Sequence, residues 1–146
     1  MKPMTIAAVV GILLAAVLYT TATFAERRAR VLKPSHLWLF WAGLLVDTIA
    51  TTLMAIIAGG YHANVHGVLG VGAIFVMLGH TTWATAVLTL KKDKLMHQFH
   101  TFSTAVWALW MITLVSGFAL ALPRMAAKAR QHPYVLPPPT NGSWCS

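Results

Sequence analysis

The sequence predicts an all-α integral membrane protein, an up-down-up-down bundle of four helices, and three observations carry that prediction. The chain has 146 residues, 58% hydrophobic and 10% charged, with a mean hydropathy of +0.68. That is more apolar surface than a water-soluble chain of this length can hide. Four apolar stretches each reach about 20 residues, enough to cross roughly 30 Å of hydrocarbon at about 1.5 Å per residue. The bases fall between them: seven of the eleven Lys and Arg sit in the connections after the first and third stretches. A net charge of +8 on a soluble chain would suggest nucleic acid. Here its clustering is an orientation signal, so the expected partner is the bilayer and no nucleic acid.

The first span covers residues 5–24 and is too long, and too closely followed by Glu26, Arg27, Arg28, Arg30 and Lys33, for a cleaved leader. It carries no ionisable group and is assigned to packing. Pro34 and Ser35 suit the start of the second span, residues 36–58. Its helical stripe reads His36, Phe40, Gly43, Asp47, Ala50 and Met54. Asp47 thus falls near mid-membrane, where a carboxyl group must face the bundle and find a partner.

Gly59 and Gly60 break that helix, and the third span follows, residues 66–90. His66 and His80 lie fourteen residues apart. Fourteen is two heptads, so both imidazoles share one face, about 21 Å apart along the axis. Gly67, Gly70, Gly72 and Gly79 are expected to allow close approach of a neighbouring helix or of a flat ring. The fourth span, residues 99–122, opens with His100 and ends at Pro123; its Trp107 and Trp110 read first as packing residues. Residues 1–123 form the bundle and residues 124–146 a basic, proline-rich tail outside the membrane that carries the lone Cys145. The basic connections place their end in the cytoplasm, and hence both termini in the periplasm of a bacterial inner membrane.

Histidines inside an apolar four-helix interior are what a bis-histidine haem requires: neutral nitrogen ligands, apolar walls and backbone that lets a flat ring approach. By depth, His80 pairs best with His100, with His36 as substitute. An outer site on His66 has His62, Met54 or a tail residue as its second ligand. The expectation is haem b, one or two per chain, in an electron-transfer cytochrome working with quinone or within a larger redox assembly, as a subunit or a homo-oligomer. Asp47 serves there as proton acceptor or as hydrogen-bond partner of a ligand, and Trp107 stands beside the ring.

The segments LLVDTIATTLM (44–54), HGVLGVGAIFVMLGHTTWA (66–84) and FHTFSTAVWALWMITLVSG (99–117) resemble those of the HsmA family of small four-helix bacterial membrane proteins. The likeness covers residues 36–118. That family's Asp-x-x-Gly-Thr, His with a later His-x-x-Trp, and Phe-His-x-Phe-Ser elements fall here on Asp47, His66, His80, Trp83 and His100, with Ala50 in place of the glycine. The resemblance implies a small haem-associated membrane protein. Two other classes fit the residues: a cofactor-free accessory or assembly subunit, and a transition-metal-binding membrane protein. No nucleophile-base pair or phosphate loop is present in the sequence.

Overall fold

A computed structural model describes residues 3–61, 65–90 and 93–130, the side chains of 93–98 and 124–130 aside. His62, the side chain of His97, and Cys145 lie outside the described residues. Four helices follow one another: α1 (Pro3–Ala29), α2 (Pro34–Ala58), α3 (Val65–Leu90) and α4 (Asp93–Arg130). Each contains a window long and apolar enough to cross a membrane, that of α4 running from Phe99 to Pro123. The chain is thus an all-α multi-pass bundle.

Local chemistry sets the helix ends. α1 stops at Arg30, whose φ of 52° leaves the helical region. α2 begins at Pro34, where a missing N–H costs nothing. The backbone N–H of Lys33 donates to Nδ1 of His36 at 3.3 Å, satisfying one of the orphan donors at this helix start. At its other end Gly59 takes a left-handed φ of 83°, and the Gly60 N–H returns to the Ala55 carbonyl at 2.9 Å.

α1 packs on α2 and α4, and α3 on α2 and α4, so the helices stand in a square in chain order. The inward stripe of α1 is Ala8, Ile12, Ala15, Tyr19, Ala22, Thr23 and Glu26, near the heptad repeat of a left-handed bundle. α3 turns Ala73, Met77, His80 and Ala84 inward, along the histidine face the sequence predicts. The outward faces are equally apolar: Trp38, Leu45, Phe75 and Ile112 are exposed, as expected where lipid is the solvent.

Three expectations need correction. The first helix continues to Ala29, so Glu26 belongs to the span rather than to the basic connection, and it is fully buried. The fourth helix starts at Asp93 and runs through Pro123 to Arg130, although its apolar window does end at Pro123. No close approach occurs at three of the third-helix glycines: nothing lies near a Cβ built on Gly70, Gly72 or Gly79. Close approaches occur at Gly43, where a Cβ would sit 2.7 Å from the Tyr19 ring, and at Gly117, where it would sit 2.7 Å from the His66 ring. Gly11 meets Ala50 in the same way, at 3.0 Å. With no driving force from water inside a membrane, such small-residue contacts are what let helices pack closely.

Candidate functional site

Polar side chains enter the bundle at three depths. At the end of the basic connections, His100 Nδ1 lies 2.5 Å from Glu26 Oε1, joining α4 to α1. The Glu26 side chain is 1% exposed and that of His100 21%. Among the described residues several buried polar atoms make no hydrogen bond to protein: Thr23 Oγ1, the second Glu26 oxygen, Ser103 Oγ, Thr81 Oγ1 and both nitrogens of His80.

The His80 ring is 2% exposed and enclosed by phenylalanines. Phe99 stacks on it at 5.2 Å, Phe40 meets it edge-on at 4.8 Å, and Phe102 lies at 6.0 Å. His80 and His100 therefore face different surroundings, one an aromatic cage and the other a carboxyl group. His36, at the helix start, uses Nδ1 to accept the Lys33 N–H.

At mid-depth Asp47 is 1% exposed and gathers three donors. Trp110 Nε1 donates to Oδ2 at 2.8 Å, the Tyr19 hydroxyl to the same oxygen at 3.4 Å, and Thr51 to Oδ1 at 3.4 Å. Tyr19 and Trp110 also meet edge to face, with centroids 5.0 Å apart. Side chains from α1, α2 and α4 thus converge on one carboxyl group. Each polar group satisfies another where lipid offers nothing.

Beyond Asp47, toward the opposite end, a cavity of about 460 Å³ opens between all four helices. Asp47, Thr51 and Trp110 form its polar floor, Ile12, Met54, Val71 and Leu114 supply apolar wall, and His66 and Tyr61 stand near its mouth. Its volume and its few polar groups are those of a small-molecule site. His66 Nδ1 is 3.3 Å from Ser116 Oγ, and the Ser116 hydroxyl donates to the Thr113 carbonyl at 2.7 Å. With its proton placed on that carbonyl, the Ser116 oxygen can accept from a His66 Nδ1–H. The Nε2 edge of the ring lies against Gly117, where a Cβ would sit 2.9 Å from that nitrogen. Gly117 makes the room for this ring.

Of the residues singled out in the sequence, the cavity brings together His66, Asp47 and Met54. His80, His100 and His36 lie toward the other end. Trp83 is 46% exposed, its nearest ring Phe102 at 6.0 Å. Trp107 donates to Thr20 at 3.1 Å and packs edge-on against Phe24, a helix-joining role. The sequence reading placed Glu26 in the basic connection and Trp110 among packing residues, and it passed over Tyr19 and Ser116. A heptad drawn along the first span links Ile12, Tyr19 and Glu26 and would have flagged two of them. Among the described residues no three His, Cys, Asp or Glu side chains cluster as an ion cage requires.

Fold and site together define a class: a multi-pass four-helix bundle with a polar interior and a ligand-sized cavity at one end. No protein-family model, curated protein or solved structure matches this chain.

Proposed function

We propose that this chain is a membrane electron-transfer protein of the b-type cytochrome kind, holding haem b in the cavity between His66 and Met54. The observation that carries the reading is the placing of His66: it lines the same cavity as the Met54 thioether, and its Nδ1 is held 3.3 Å from the Ser116 hydroxyl. A metal-binding histidine is normally oriented this way through its other nitrogen. Neutral nitrogen and sulfur donors with apolar walls suit haem iron. When bound, haem supplies reversible one-electron chemistry.

The remaining residues hold and shield. Gly117 seats the His66 ring, Met54 faces the cavity from α2, and the Asp47 cluster closes the floor with hydrogen-bonding groups. The basic connections put their end in the cytoplasm, so the cavity opens toward the periplasmic face of a bacterial inner membrane. Electrons are exchanged there with a quinone or a larger redox assembly. The shift from the His80 and His100 pair to His66 follows from the phenylalanine cage around His80 and the Glu26 contact of His100.

Absorption spectra of the purified protein, expressed with haem supplied, test this. A Soret band and a reduced α band are expected, both lost in His66→Ala and both weakened in Met54→Ala. Absence of both bands in the wild type removes the haem reading. Their survival in His66→Ala with loss in His80→Ala returns the site to the inner end.

A further inference from the structure

Glu26 has Arg27, Arg28 and Arg30 within four residues, yet it turns into the bundle and meets His100. An ionisable group placed inside a span costs several kcal/mol by order of magnitude and is rarely kept without use. Its second oxygen and the Thr23 hydroxyl have no protein partner, and the Ser103 hydroxyl, within reach of Glu26, makes no bond of full hydrogen-bonding geometry; Thr23 and Ser103 are each at most 2% exposed. Ser103 is a neighbour of Glu26.

These atoms line up. Glu26, Thr23 and Tyr19 share one face of α1, spaced three and four residues, and rise about 10 Å toward the bundle centre. On α4, Ser103 and Trp110 are seven residues apart on the matching face. Tyr19 and Trp110 both end on Asp47, and Asp47 with Thr51 forms the cavity floor. Between the Glu26–His100 contact and the Asp47 cluster stand the Thr23 and Ser103 hydroxyls with unused capacity, the kind of group that holds buried water in proteins.

We infer that Glu26, Thr23, Ser103, Tyr19 and Asp47 form a proton relay joining the basic end of the bundle to the cavity. His100, partly exposed, admits the proton and passes it to Glu26. The hydroxyls and intervening water carry it to the Asp47 carboxyl group, and the cavity opens the far side. At each hop one O–H or N–H bond breaks and one forms, and no electron moves. The relay rests on the cavity being the working site, not on haem filling it.

The test is proton flux into vesicles carrying the full chain, with a pH-sensitive dye inside and a potassium diffusion potential set by valinomycin. Wild-type vesicles should acidify faster than protein-free ones. Glu26→Gln, which keeps the shape and a hydrogen bond, should cut the protein-dependent rate roughly tenfold or more, as deleting a proton-transfer group does. Thr23→Val and Ser103→Ala should each lower it, and Glu26→Asp should restore much of it. Melting temperature is followed in parallel, so that a variant that fails to fold is recognised, and the conservative Glu26→Asp then decides the point. Wild-type flux equal to that of protein-free vesicles, or Glu26→Gln flux equal to wild type in a folded protein, overturns the relay. Loss of the Soret band with flux intact overturns the haem reading alone.

Discussion

Trp110 reaches from α4 to put its indole N–H 2.8 Å from Oδ2 of Asp47 on α2, the helix diagonally across the square. Neighbouring helices pack on each other through small residues; this bond ties together two that make no backbone contact. Asp47→Ala leaves the indole N–H and the Tyr19 hydroxyl buried without an acceptor, at about 1–3 kcal/mol each. Melting in detergent should show a loss of about 2–4 kcal/mol. Asp47→Asn keeps an acceptor oxygen and should lose less than half as much. Equal losses in the two variants would show that the carboxyl group matters for its charge rather than for its acceptors.

Gly43 decides whether Tyr19 can reach that carboxyl group, since a Cβ there would sit 2.7 Å from Cε1 and 2.8 Å from Cδ1 of the ring. Gly43→Ala should therefore push Tyr19 off Asp47 and cost about 1–3 kcal/mol, the usual range for overpacking. Gly72→Ala, facing open space, should be neutral or slightly stabilising, because alanine is the better helix former. The pair of melting temperatures checks both statements.

Ser116 meets His66 through one hydrogen bond, so its removal tests what that bond does for the ring. Where haem fills the cavity as proposed, Ser116→Ala should leave the fold intact and weaken its retention roughly 10- to 100-fold, the usual effect of losing the partner that orients a metal ligand. Titrating haem against the Soret absorbance measures it. Gly117→Ala, which drives a methyl group to within 2.7 Å of the same ring, should weaken retention at least as much.

Much of this was legible in the sequence. The four apolar runs give the helices, and the helical stripe through His36, Phe40, Gly43, Asp47 and Ala50 is the buried face of α2. Glu26 was not legible, because charge counting groups it with the arginines beside it, whereas helix phase puts it in line with Tyr19 and Ile12. The glycines misled for a related reason: a glycine is visible in sequence, but the ring that fills its place comes from another helix. Histidine spacing gave a shared face for His66 and His80 but could not tell a phenylalanine cage from a cavity. That distinction depends on which rings α2 and α4 present.

His80 supplies the sharpest remaining test. Its imidazole is buried with neither nitrogen bonded to a protein atom, and three phenylalanine rings surround it. If the ring serves only to fill space, it bears the desolvation of a polar group with no return, about 1–3 kcal/mol. His80→Phe adds some volume, so part of the gain is spent on fitting it, while His80→Leu stays closer to the original size. One of the two should match or exceed the wild-type melting temperature and keep the Soret band unchanged, with the outer cavity on His66 undisturbed. A fall of several degrees in both variants, together with a weakened α band, would mean that those free nitrogens hold something the phenylalanines make way for, and the haem would belong at the inner end.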